Sequence, residues 1–279
     1  MPVLFTTIDN LVFTIRSLKM QGKRIGFVPT MGALHQGHLS LIERGLSACD
    51  VVVVSVFVNP LQFNNSEDFK SYPNTLDADL KLLGSYSNLY VFVPTFDELF
   101  NGQESAFKVE VGEVAVLLEG AWRPGHFNGV VQVVHALFKS VMPDVAFFGE
   151  KDYQQLAIIK IMVRKLGLPI EIMACPTQRS PEGLAMSSRN MLLNVEEKHQ
   201  ALIIWKTLNY IKNNQANYTP KQLQEAGETF FNSGHLRLEY LEIVCAETLQ
   251  PISDWEMKSI CCIAAYCGNT RLIDNLVLN

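Results

Sequence analysis

The 279-residue chain predicts an α/β protein with a parallel sheet in its first part and a smaller α+β domain at its C-terminus. Three observations carry this reading. Up to about residue 175, short apolar runs alternate with segments whose apolar residues recur at helical spacing. The run 51–58 is almost uniformly β-branched, as a central strand covered on both faces requires. After Asn190 the alternation stops, and two long helical patterns are followed by strands.

The elements follow in order. Residues 25–28 are a short apolar run closed by Pro29, then a glycine-bearing loop and a helical pattern through Leu39, Ile42 and Leu46. The strand at 51–58 ends in Asn59-Pro60. Residues 76–83 read as a helix, and 90–93 as a strand ending at Pro94. Asn128 is expected to cap a helix through Val133, Leu137 and Val141 to the break at Pro143. Residues 145–148 form a strand closing on Gly149. A helical pattern over 153–166 (Leu156, Ile159, Val163, Leu166) leads to Gly167 and a strand at 170–174.

Strand, loop and helix repeated this way give a Rossmann-like parallel sheet with right-handed crossovers over residues 1–175. In such sheets ligands collect beyond the carboxyl ends of the strands. The remainder, 176–279, is the smaller α+β domain. Asn194 and Glu197 make a capping box for a long helix through Leu202, Trp205 and Ile211. Pro220 starts another that runs to about 231, 238–244 and 259–266 read as strands, and 264–275 closes the chain.

Composition narrows the function classes. A net charge of -5 argues against the broad basic footprint of a nucleic-acid binder, while 18% charged and 48% apolar residues are ordinary for a globular protein. The six cysteines include no C-x-x-C pair, so they read as small buried hydrophobes rather than metal or redox groups. The start of the chain lacks a basic n-region, and its longest apolar run is too short to span a bilayer. A cytoplasmic protein without membrane association is expected.

The chemistry concentrates at strand ends. His35-Gln36-Gly37-His38 follows the first strand, so both imidazoles fall at a helix N-terminus, where unpaired N–H groups and a partial positive charge suit phosphate. After the second strand come Asn59-Pro-Leu-Gln62. Gly149-Glu150-Lys151-Asp152 and Gln155 follow 145–148, and Met186-Ser187-Ser188-Arg189 lies beyond 170–174. Taken singly, a histidine at a helix start is more often structural, the Gly149–Asp152 and 187–190 strings read equally well as a turn or a cap, and Gln62 and Gln155 are the weakest signals. Their joint occurrence at successive strand ends makes chance the weaker explanation.

These strings carry a resemblance. His35-Gln-Gly-His38 resembles the H-x-G-H signature of the adenylyl-transferring superfamily that includes class I aminoacyl-tRNA synthetases. Residues 29–38, 123–130, 147–155 and 183–190 are similar to the pantothenate synthetase family, a likeness running from about residue 24 to the Arg271-Leu-Ile-Asp-Asn ending. The resemblance implies ATP-dependent condensation of pantoate with β-alanine through a pantoyl-adenylate, releasing AMP and pyrophosphate.

It also implies roles. Met31, Gly32, Ala33, Leu34, His35, Gln36, Gly37 and His38 would wrap the nucleotide, with backbone N–H groups and both imidazoles aimed at the phosphates and His38 as proton donor. Gly149, Glu150, Lys151 and Asp152 belong to the ATP site. Met186, Ser187, Ser188 and Arg189 play the part of the synthetases' signature loop, closing on pyrophosphate. His35, His38, Lys151 and Arg189 are the catalytic set. Gln62 and Gln155 face pantoate, amides being able to donate to its carboxylate and accept from its hydroxyls; Gln62 also faces β-alanine.

Magnesium accompanies ATP, with Asp79 as a candidate ligand. The position before Arg179, which meets the base through main chain, usually holds valine in the family; here it is Gln178, and Trp122 is a second departure. Arg123 and His126 either line the site or fix the loop before the helix, the structural role being favoured. A homodimer is expected from the family. The competing readings are a related nucleotidyltransferase that adenylylates a phosphorylated acceptor, which would call for an extra basic cluster, and a non-catalytic binding protein that has kept the fold, against which the intact His35, His38, Lys151 and Arg189 speak.

Overall fold

The computed structural model describes residues 2–64, 69, 70, 72–102, 107 and 109–279. Its first sheet is built from β1 (Val3–Phe5), β2 (Ile25–Thr30), β3 (Val51–Val56), β4 (Leu89–Phe92), β5 (Val145–Gly149) and β6 (Glu171–Cys175). The spatial order is β1-β4-β3-β2-β5-β6, and every pairing is parallel. All six residues of β3 are buried, as its β-branched run demands.

Helices cover this sheet: α1 (Ile8–Met20), α2 (Gln36–Ala48), α3 (Leu76–Leu83), α4 (Phe96–Phe100), α6 (His126–Val141) and α7 (Tyr153–Lys165), with α5 (Leu118–Trp122) lying between α4 and α6 in sequence. One core cluster packs Val28, Ile42, Val52, Val54, Val91 and Phe147, all fully buried. From β2 the chain proceeds through β3 to β4 on one side and later resumes at β5 on the other. The β2–β5 junction is therefore the topological switch point, where such sheets bind ligands.

The second sheet is antiparallel, in the order β7 (Arg237–Cys245), β8 (Ser259–Cys267), β9 (Thr270–Val277). With α8 (Val195–Asn214) and α9 (Pro220–Phe231) it encloses its own core around Ile204, Leu208, Ile211, Leu223, Phe231 and Ile263. The capping box expected at Asn194 is formed, Glu197 N–H donating to Asn194 Oδ1 at 2.9 Å and Asn194 N–H returning to Glu197 at 2.8 Å.

Several elements differ from the sequence reading. The helix expected to start at Asn128 begins at His126, with Gly125 at φ 84° as its cap and no side-chain capping bond. The reason lies in the turn before it, where Arg123 and His126 are engaged elsewhere. The closing segment contains a full strand, β9, which polar residues at 270, 271, 274 and 275 disguise. β1 and α1 lie ahead of the first strand read from sequence.

The chain forms two compact units. One comprises residues 1–112, 123–150 and 158–176; the other comprises 113–122, 151–157 and 177–279. The second unit thus takes in two segments that a boundary at 175 leaves in the first. Gln154 shows why: its Nε2 donates to the carbonyls of Val114 and Leu117 at 2.7 Å, and its Oε1 accepts from Glu119 N–H at 2.9 Å. No helix among the described residues is long and apolar enough to cross a membrane.

Candidate active site

In the first unit the site begins where β2 ends. His35 is the N-cap of α2, and its Nδ1 accepts from Gly37 N–H at 3.1 Å. His38 Nδ1 accepts from His35 N–H at 3.3 Å. Two histidines thus form a reciprocal capping box, with ring centroids 4.1 Å apart. Because each Nδ1 accepts, the hydrogen of each neutral ring sits on Nε2. Both rings therefore present an Nε2–H beside the positive end of a helix dipole.

Gly32 N–H donates to Thr30 Oγ1 at 3.1 Å, and the Ala33 and Leu34 N–H groups donate to Asp79 at 2.9 and 2.8 Å. With the His35 and Gly37 amides in the capping box, five main-chain donors of this stretch are engaged by Thr30, Asp79 and the two histidines. The imidazoles are the loop's side-chain donors. Asp79, 3% exposed, also accepts from Thr75 Oγ1 at 3.3 Å, so both its oxygens hold the loop.

Gln62 sits in a short 3-10 turn, Pro60–Gln62, after β3. Its Nε2 reaches Met31 Sδ at 3.0 Å, which brings Gln62 to the histidine loop. Asn59, 1% exposed, donates to Gln62 Oε1 at 2.8 Å and to Gly129 O at 3.1 Å while accepting from Leu61 N–H. The Gln62 carbonyl accepts from Arg123 Nη2 at 3.1 Å and from His126 Nδ1 at 2.7 Å. Since a carbonyl only accepts, His126 carries its hydrogen on Nδ1, and its Nε2 faces Arg123 Nη1 at 3.4 Å. Arg123 and His126 therefore fix the Gln62 turn. Gly149 and Glu150 complete this unit's set at the end of β5, the strand beside β2.

In the second unit Lys151 lies in the 3-10 turn Glu150–Asp152, its Nζ 3.5 Å from Asp152. A small cavity is lined by Lys151, Ser187, Asn190 and Asp274 among others, so the lysine and Ser187 of the Met186–Arg189 segment border one space. Ser187 caps the turn that carries Arg189, accepting from its N–H at 3.3 Å. Arg189 Nη1 donates to Arg271 O at 3.4 Å. Gln178 is exposed, and its carbonyl accepts from Met186 N–H at 2.8 Å, so the departure from valine faces outward. Gln155 is half-buried near the start of α7.

A buried ionic network underlies this unit. Arg271 donates to Glu119 at 2.6 and 2.8 Å and to Glu239, while Tyr240 donates to Glu119 at 2.8 Å. Burial opposes the Arg271 charge, but the two carboxylates outweigh it and hold the guanidinium above its ordinary value. Burial, then the Glu119 charge, pushes the Tyr240 hydroxyl well up. Asn59, Arg179 and Asn275 are absent from the sequence-derived site. Asn59 shares the strand-end signal and Asn275 closes the Arg271-Leu-Ile-Asp-Asn ending, while no local signal marks Arg179.

A parallel sheet with paired histidines capping a helix at its switch point defines a Rossmann-like α/β protein. The chain belongs to the pantoate-beta-alanine ligase family, whose model matches residues 3–277. It is 46% identical over 273 residues to the pantothenate synthetase of Bacteroides thetaiotaomicron, covering 97% of this chain and 96% of that one. To that of Porphyromonas gingivalis it is 45% identical, covering 98% of each. The crystal structure of pantothenate synthetase from Thermus thermophilus matches with a TM-score of 0.92 at 40% identity, covering 99% of both chains. That of the Francisella tularensis pantoate-beta-alanine ligase, complexed with beta-gamma ATP and β-alanine, matches at 0.83 and 35%, covering 99% of this chain and 98% of that one.

Proposed function

We propose that this chain condenses pantoate with β-alanine at the expense of ATP. Pantoate's carboxylate oxygen attacks the α-phosphorus, the bond to the bridging oxygen breaks and pyrophosphate leaves. The β-alanine amine then attacks the acyl carbon, AMP departs, and the nitrogen loses its proton. The observation that carries this reading is the paired-histidine cap at the sheet's switch point in a chain matched to the family along 3–277.

Adenylyl transfer needs positioning and stabilisation of charge on phosphate oxygens more than a nucleophile. In this reading the Nε2 hydrogens of His35 and His38 serve the phosphates and the leaving group. Lys151 adds a point charge and Arg189 a fork of donors. Gln62 and Gln155 choose the acid through its hydroxyl and carboxylate, and Gln62 also meets β-alanine. Asp79, the candidate magnesium ligand, also holds the loop through the Ala33 and Leu34 amides. Among the described residues no three His, Cys, Asp or Glu side chains gather as a metal site. Magnesium accompanies ATP in this reading, held mainly by phosphates and water as its octahedral, water-retaining chemistry favours. A cytoplasmic homodimer belongs to the same reading, and sedimentation tests the dimer.

The test is pyrophosphate release with Mg·ATP, pantoate and β-alanine together and with each omitted. Release independent of pantoate would overturn the reaction. His38→Ala is expected to slow adenylate formation by about a hundredfold or more, the order for one lost transition-state donor.

A further inference from the structure

Lys151 lies in a turn too short to fix it from within. The Glu150–Asp152 segment is a single 3-10 turn. Between β5 and α7, which it joins, one contact from a distant strand adds a hold on its backbone. Asn275 Nδ2, on β9, donates to the Lys151 carbonyl at 2.8 Å across 124 residues of sequence.

Asn275 is itself held at several points. It is 8% exposed and pairs with Cys262 in the sheet register. Its N–H donates to Asp274 Oδ1 at 2.8 Å, and its carbonyl accepts from Arg179 Nη2 at 3.3 Å. Arg179 in turn grips Asp274 with both terminal nitrogens, at 2.5 and 2.9 Å, and lies 3.8 Å over the Trp205 ring. Two parallel donors on one carboxylate set direction as well as distance. The same arginine donates to Gly183 O and bridges to Ala185 just before Met186. A single hub thus holds the backbone of Lys151 and the root of the Met186–Arg189 segment.

We propose that Asn275 is a positioning residue for Lys151, held in place by the Arg179–Asp274 pair. This rests on the reading that Lys151 serves the phosphates. A cation set on a short turn has a long lever, so a small shift of its carbonyl moves Nζ by more. Displacement of a reacting group by an ångström costs on the order of a hundredfold in rate. A shift of part of that distance is expected on losing one hydrogen bond.

The test is a double-mutant cycle on single-turnover adenylate formation in the full-length enzyme. Asn275→Ala is expected to slow the step by about tenfold in the wild-type background and by less than about twofold in Lys151→Ala, because coupled residues are not additive. Equal slowing in both backgrounds would mean a general structural role and overturn the proposal. Near-normal rates for Lys151→Ala alone would remove the reading beneath it, and the proposal with it. If Asn275→Ala does not fold, Asn275→Ser, too short to reach the carbonyl, passes through the same cycle and is judged by the same two outcomes.

Discussion

At the scale of single residues, His38 does two jobs with two nitrogens. Nδ1 closes the cap on His35 N–H, and Nε2 carries the hydrogen that the proposed reaction aims at the nucleotide. The jobs can be separated. Glutamine at this third helical position can supply the capping acceptor, as Gln222 does for Thr219 N–H at 3.1 Å, whereas alanine supplies neither acceptor nor donor. His38→Gln is expected to keep near wild-type stability and lose most of the adenylation rate. His38→Ala should lose the rate as well and give up about 1 kcal/mol of stability, the order for a lost capping bond. Chemical denaturation and single-turnover kinetics on the two variants decide it, and a reversed order would refute the division of labour.

Among elements, the meeting of α6 with the Asn59–Gln62 turn sets the acid-recognising amide. Gly129 is placed where a Cβ would stand 2.1 Å from Leu61 O, a contact no rotamer can relieve because both partners are backbone. Its carbonyl also accepts from Asn59. Gly129→Ala is therefore expected to push the turn off the helix and raise the KM for pantoate by about tenfold or more, with the KM for ATP little changed. Steady-state kinetics varying each substrate separately would show it, and an equal rise in both values would count against it. Arg123 and His126 belong to the same arrangement, since both donate to the Gln62 carbonyl.

Across the whole molecule, the second unit is assembled from stretches far apart in sequence, and buried charge joins them. Glu119 comes from the 113–122 segment, Glu239 from β7 and Arg271 from β9, each side chain being about a tenth exposed or less. Removing the cation alone would leave two buried carboxylates facing each other. Arg271→Met is expected to cost about 3–5 kcal/mol in urea unfolding, the range for breaking a buried pair from one side. Adding Glu119→Gln and Glu239→Gln should recover part of that loss, since neutral amides no longer need a counter-charge. Failure of the triple variant to recover anything would show that the network acts through shape rather than charge.

Much of this was legible in the residues because the signals are local. Helix α3 is read at its observed bounds, and the Asn194 cap lies within three residues of its partner. His35 and His38 are near neighbours whose spacing forces them onto one helix start. β9 was missed because alternation there is broken by Asp274 and Asn275, buried polar residues whose partners lie on other elements.

The sequence by itself determined the α/β class, the order of its strands and helices, the family, and the chemical groups at the strand ends. These rest on periodicity, capping and short motifs, whose causes span a few residues. Only the tertiary structure decided that Asp79 binds loop amides, that 113–122 and 151–157 group with the C-terminal residues, and that Asn275 reaches Lys151. Each depends on a hydrogen bond between residues distant in the chain. Such a bond forms where burial leaves a polar group no water to pair with.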